Sequence, residues 1–236
     1  MALLTPARRH QMRIEAAQAA RAAGPGQPVE GDAHKLLLAQ LIEHRRTLKN
    51  IQSTERRIEA KRTMVGDFDS YVTGALEAGQ GGEDIILTTM LVWNMDVGNW
   101  DRALEIASYC MAHKLTLPDQ YNRTLPVLLI DEPATAAAQG KLVGDQALRV
   151  LSQIDLLTAD HDAPDQARAK LYKAIGYTLM GKTPTNEPDI TTLDESKAHM
   201  ALKYLQRAFG LFDNVGVKKD MERLERRLKA TDSGTD

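Results

Sequence analysis

Between positions 34 and 62 the chain advances in alternating steps of three and four. The stations are His34, Leu37, Leu41, His44, Leu48, Ile51, Glu55, Ile58 and Arg62. A mean step of about 3.5 keeps these residues on one side of an α-helix, whereas a strand would turn its sides every two residues. Asp32 stands where an N-cap belongs, so the pattern predicts one long helix from there to about Met64. His34, His44 and Glu55 interrupt the seam. It reads either as a coiled-coil edge whose polar positions set register or oligomer state, or as a surface helix laid on the body.

The rest of the chain supports the same class. Aromatic residues make up only 5% of it, while Ala, Leu and long charged residues abound, which favours helix over sheet. Helices are predicted at about 5–23, 67–78, 83–95, 99–113, 142–158, 165–180 and 217–230, with another from the Thr191–Glu195 cap to about Phe212. Gly24-Pro25-Gly26-Gln27-Pro28 stops the first, and Gly66 breaks the long one. Asp67 and Asn99 are read as caps, and Gly79–Gly82 as a hinge. Leu117-Pro118-Asp119 caps a further helix, which Pro126 and Pro133 must kink or divide. Val127–Ile130 is the one strand candidate, weakened by Pro126. The fold class is therefore all-α: basic N-terminal helices including a long coiled-coil-like one, then a multi-helix body. The expected division is 1–64, 65–230 and a disordered tail at 231–236. Trp100–Ala107 and Ala201–Ala208 resemble tetratricopeptide helices, but no 34-residue period connects them, so they are ordinary small/large packing.

Charge is strongly asymmetric. Residues 1–62 hold twelve Lys/Arg against six Asp/Glu, 63–217 hold twelve against twenty-one, and 218–229 six against three. A basic helical head on an acidic body points to a protein that holds polyanion at one end and protein at the other. The cations of the head are Arg8, Arg9, Arg13, Arg21, Lys35, Arg45, Arg46, Lys49, Arg56, Arg57, Lys61 and Arg62. Their spacing suits phosphates along a duplex. No aromatic residue interleaves with them, which disfavours stacking on single strands. The Gly-Pro-Gly linker is too long and irregular for a helix-turn-helix. The plain alternative for the head, and for the basic helix at Lys218–Lys229, is a solvated or docked helical face.

Chemistry is harder to find. No phosphate loop, dinucleotide fingerprint, zinc spacing or Ser/His/Asp set is present, so an ATPase or redox enzyme is not expected. Asp160, His161, Asp162 and Asp165 could bridge a hard divalent ion of the kind metal-dependent phosphodiester cleavage uses, but beside Pro164 they read better as a capped, solvated turn. Asp67 with Asp69 is a weaker pair of the same kind. His113 suits a helix C-terminus, where the dipole favours it. The lone Cys110 reads as a buried thiol in a reducing compartment. Neither a catalytic residue, a metal nor a cofactor is expected. The first 23 residues lack the apolar region of a secretory signal, and no apolar run nears the roughly 18 residues of a membrane span. A soluble, intracellular chain without membrane association is expected.

Asp96-Val97-Gly98-Asn99-Trp100-Asp101-Arg102-Ala103-Leu104-Glu105-Ile106-Ala107, followed by Tyr109, His113, Leu115 and Leu117-Pro118, resembles the central signature of a phage family. The opening Thr5-Pro6-Ala7-Arg8-Arg9-His10 is similar too, as are Leu205-Gln206-Arg207-Ala208, Gly216-Val217-Lys218-Lys219-Asp220 and Glu222-Arg223-Leu224-Glu225-Arg226. The family is the small terminase subunit, also called the terminase endonuclease subunit, of peduovirus-type cos-packaging tailed phages. The resemblance implies binding of double-stranded viral DNA at the packaging (cos) site in the host cytoplasm. It also implies assembly as a homo-oligomeric ring and partnership with a large ATPase subunit in packaging and cos cleavage. The endonuclease label belongs to the family; with no convincing nuclease centre in these residues, cleavage falls wholly or mostly to the large subunit. Two alternatives stand beside this reading: a metal-dependent endonuclease using Asp160, Asp162 and Asp165, or a helical adaptor without nucleic-acid binding.

Overall fold

Helix α1 (Pro6–Ala22) begins where Thr5 Oγ1 accepts a hydrogen bond from the Arg8 N–H at 3.3 Å and Pro6 fills the first turn, which needs no donor. The structure, a computed structural model, describes residues 5–118 and 122–232. Asp119 and the end of the expected tail fall outside that range. Among the described residues the chain is all-helical, without a strand; only isolated bridges, Pro28 with Glu83 and Thr183 with Asn186, join extended segments. Its contacts group into two units, Met1–Leu125 and Pro126–Asp236.

In the first unit α1 lies against α4 (Asp69–Ala78), burying Met12, Ala16 and Ala20. The crossing is close because position 74 is glycine. A Cβ there would sit 2.1 Å from the Arg13 carbonyl oxygen. The expected long helix is two: α2 (Asp32–Lys49) and α3 (Thr54–Met64), separated at 50–53. The break has a local cause. The hydroxyl of Ser53 accepts from the Arg56 N–H at 3.3 Å and restarts the helix, a competing bond that a seam count does not register. Within α2, Leu37 and Leu41 are fully buried and Leu48 nearly so, so that part of the seam packs into its own unit. A 3-10 turn at Val65–Phe68 follows α3, and Asp67 lies inside it instead of capping α4.

Helix α5 (Ile85–Asp96) is buried along its whole length from Ile86 to Met95, as a helix apolar on every side must be. It packs against α6 (Trp100–Ala112). Asn99 does not cap α6 with its side chain but donates to Asn94 Oδ1 at 2.8 Å. The start of α5 is anchored by buried Asp84, whose Oδ1 accepts from the Ile86 and Leu87 N–H groups at 2.9 and 3.1 Å while Oδ2 accepts from the Tyr71 hydroxyl at 2.7 Å. Cys110 is buried, and burial pushes its thiol up and out of reactive range.

The second unit opens with α7 (Leu125–Ala138), which runs unbroken through Pro133. Pro126 lies in its first turn, where a missing N–H costs nothing, and the strand candidate Val127–Ile130 is helical. Next come α8 (Gly144–Thr158), α9 (Asp165–Met180), α10 (Glu195–Leu211) and α11 (Lys218–Asp232). The broadest packing is α9 on α10, where Gly176 makes room for Leu205: an added Cβ would fall 2.6 Å from its Cδ2. Asp194 caps α10, its Oδ1 accepting from the Lys197 N–H at 3.0 Å. Helix α11 is tied down by Asp220, whose carboxylate accepts from the Tyr177 hydroxyl and Lys182 Nζ, both at 2.8 Å.

Candidate nucleic-acid interface

The cations of the head are divided by their neighbours. Arg13 makes a two-pronged contact with Glu77 on α4, its Nε donating to Oε2 at 2.8 Å, and this holds the guanidinium on the body. Arg45 is half-buried, with Nη2 donating to Thr89 Oγ1 of α5 at 2.7 Å. Lys61 reaches Asp96 at 2.5 Å and lies 5.8 Å above the Trp93 ring. Arg57 bonds back to the Ile51 carbonyl at 2.5 Å across the break between α2 and α3. These four act as struts within the first unit.

A second group is tied only to its own helix. Arg46 pairs with Glu43 at 3.1 Å, Arg62 with Glu59, and Arg8 donates to Gln11 Oε1 at 3.1 Å. Exposed pairs of this kind are weak and yield readily to a phosphate. The third group is Arg9, Arg21, Lys35, Lys49 and Arg56, all exposed. Among the described residues none of these five side chains has an ion-pair partner. Together they place outward cations on each of the three basic helices.

The histidines of the seam face inward to carboxylates. His34 Nε2, buried, lies 3.7 Å from Asp84 Oδ1; His44 Nε2 lies 3.2 Å from Asp67 Oδ2, which also accepts from Gln40 Nε2 at 2.8 Å. His44 fastens α2 to its unit by a hydrogen bond, His34 packs beside Asp84 without one, and the other side of α2 is left to solvent. This fastening needs the fold, because the partners lie 50 and 23 residues away in sequence.

The other candidates resolve into framework. Asp160, His161, Asp162 and Asp165 are all exposed, and Arg168 braces their turn by donating Nη2 to the carbonyls of Thr158 and of His161, the latter at 2.6 Å. Among the described residues no group of three or more His, Cys, Asp or Glu side chains comes together as a metal site. His113 packs against Tyr109, the rings tilted by 47° with centroids 4.4 Å apart, and lies against Gly81. No helix among the described residues is long and apolar enough to cross a membrane.

Fold and surface together define an all-helical protein whose N-terminal helices carry outward cations, five of them without an ion-pair partner among the described residues. More closely, the chain belongs to the phage small terminase subunit family, whose pattern matches residues 38–166. It is similar to the "Terminase, endonuclease subunit" of Escherichia phage P2, 38% identical over 229 residues that cover 96% of this chain and 87% of that one. It is also similar to the "Probable terminase, endonuclease subunit" of Haemophilus phage HP1, 22% identical over 161 residues, or 68% of this chain and 57% of that protein. No solved structure matches it.

Proposed function

We propose that this chain is the DNA-recognising subunit of a packaging terminase: it binds double-stranded viral DNA at the cos site, assembles as a homo-oligomeric ring, and works beside a large ATPase subunit in the host cytoplasm. Family membership supports the setting. The observation that carries the DNA contact is the set of five exposed cations, Arg9, Arg21, Lys35, Lys49 and Arg56, free of ion pairs among the described residues. A phosphate gains most from a cation that has no carboxylate to give up. Arg8, Arg46 and Arg62, paired only within their helices, are the reserve; Arg13, Arg45, Arg57 and Lys61 keep the surface in shape.

The test is duplex affinity across a salt series. Removing residues 1–62 would strip α1 from α4, so point substitutions are the sharper tool. Lys49→Ala with Arg56→Ala should weaken binding to all duplex sequences and reduce the slope of log affinity against log salt by about 2, roughly one per lost phosphate contact. Arg45→Ala should leave that slope in place. A slope indifferent to Lys49 and Arg56 would sink this placement of the DNA surface.

A further inference from the structure

The second unit has a groove of about 780 Å³ with an apolar floor, and among its lining residues there is no Asp or Glu. Ala134 of α7, Val143, Phe212 and Val215 supply apolar surface; Lys170 and Lys173 stand along the α9 wall. Lys170 is exposed. Lys173 is half-buried, donates to the Val215 carbonyl at 2.7 Å, and its ammonium is pulled down by burial. A space of this size takes several side chains of a partner, and its walls favour an apolar anchor flanked by carboxylates.

The same unit carries such an anchor. Leu156 on α8 is 78% exposed, the most exposed of the large apolar side chains described, where Leu37 and Leu41 are fully covered. One turn further on is Asp160, and the rigid turn braced by Arg168 then presents Asp162 and Asp165, all exposed. The apolar end of the groove and Leu156 belong to opposite ends of one helix: Val143 precedes α8 and Leu156 is near its C-terminus, roughly 20 Å apart at 1.5 Å per residue. A copy therefore cannot seat its own Leu156 at that end, but it can offer it to a neighbour while accepting another's. Such a contact between unlike surfaces repeats about an axis and closes into a ring when the rotation permits.

We infer that Leu156 with the Asp160–Asp165 turn of one copy docks into the Lys170/Lys173 groove of the next, forming the head-to-tail contact of the assembly. The inference rests on the ring reading above and names the surfaces that build it.

Sedimentation velocity on the full chain tests both and separates them. Leu156→Lys sets a cation against the lysine wall, and Thr135→Trp plugs the groove from an exposed lining position. Each variant should keep its helical circular dichroism yet self-associate at least about 10-fold more weakly. An equimolar mixture should then form one-to-one dimers that grow no further, because the intact anchor of one fits the intact groove of the other. As a second measurement, Asp160→Lys and Lys170→Asp should each weaken assembly and together restore it. Assembly of both variants like the unaltered chain overturns the interface and leaves the ring. Dissociation without one-to-one rescue overturns the head-to-tail arrangement. An unaltered chain that stays monomeric at every concentration overturns the ring reading itself.

Discussion

Each unit of the protein keeps one buried aspartate in the grip of a tyrosine hydroxyl, and the two differ in what balances the charge. In the first unit Asp84 accepts from Tyr71 and from two backbone N–H groups at the start of α5, with His34 at 3.7 Å. In the second, Asp220 accepts from Tyr177 but rests on side-chain cations, Lys182 at 2.8 Å and Arg223 at 3.5 Å. Backbone donors at a helix start are fixed in place and little screened by salt. Long side chains must be ordered first and lose attraction as ionic strength rises. The Asp84 anchor is thus built for rigidity under the basic head, and the Asp220 anchor for a terminal helix held more loosely. In both, burial and the neighbouring carboxylate push the tyrosine hydroxyl well up, so Tyr71 and Tyr177 stay protonated donors.

The sharpest way to break this contrast is to delete each aspartate and read the two units apart. Both tryptophans, Trp93 and Trp100, lie in the first unit, so their fluorescence reports it alone while circular dichroism reports the whole. Asp84→Ala removes a helix cap and strands the buried Tyr71 hydroxyl; the two losses together should cost about 3 kcal/mol. The urea midpoint followed by tryptophan fluorescence should fall accordingly, and to much the same extent at low and high salt. Asp220→Ala should cost less, about 2 kcal/mol, because Lys182 retains Glu187 at 3.0 Å. Its loss should appear in circular dichroism and leave the tryptophan transition in place. A tryptophan shift as large in Asp220→Ala as in Asp84→Ala would refute the separation.

The sequence announced these elements unequally. The all-α class and nearly every helix were legible because caps, glycines and 3.6-residue periodicity act over a few neighbours. Asp84 was legible in principle, as an acidic residue just before the apolar run Ile85–Leu87, although a helix read from about 83 places it inside the first turn and not at the cap. Asp67 looks like a cap by its neighbours and becomes instead the partner of Gln40 and His44, 27 and 23 residues away. No local pattern could link Asp220 to Tyr177, 43 residues back. The seam taught the same lesson within one pattern. Its stations in α2 are mostly leucines and all but His44 are buried, whereas in α3 Glu55 and Arg62 are exposed and only Ile58 is half-covered. Spacing showed where a side could face, and chemistry decided whether it was worth burying. For the candidate interface, composition marked every cation of the head; which are struts and which are free depends on partners such as Glu77, Thr89 and Asp96, visible only once the helices are packed.

The smallest effect sharpens the contrast through pH. Hydrogen bonds from Arg223 and then Lys182 hold the Glu187 carboxyl below the usual carboxylate range. A carboxyl whose value is depressed on folding adds stability that is fully present above its unfolded value, about 4.3, and is lost as pH falls through the lower folded one. Glu187 is largely exposed, so the gain is within about 1 kcal/mol. Glu187→Gln should therefore lower the melting midpoint seen by circular dichroism slightly at pH 6, and the difference from the unaltered chain should close as the acid limb is descended. The tryptophan signal should register none of this, because α11 and its ion network belong to the other unit. A difference that persisted below pH 3, or one that appeared in the tryptophan signal, would mean that the network supports something other than α11. Raising salt at pH 6 should shrink the circular-dichroism difference in the same direction as acid does, since screening and protonation remove the same attraction.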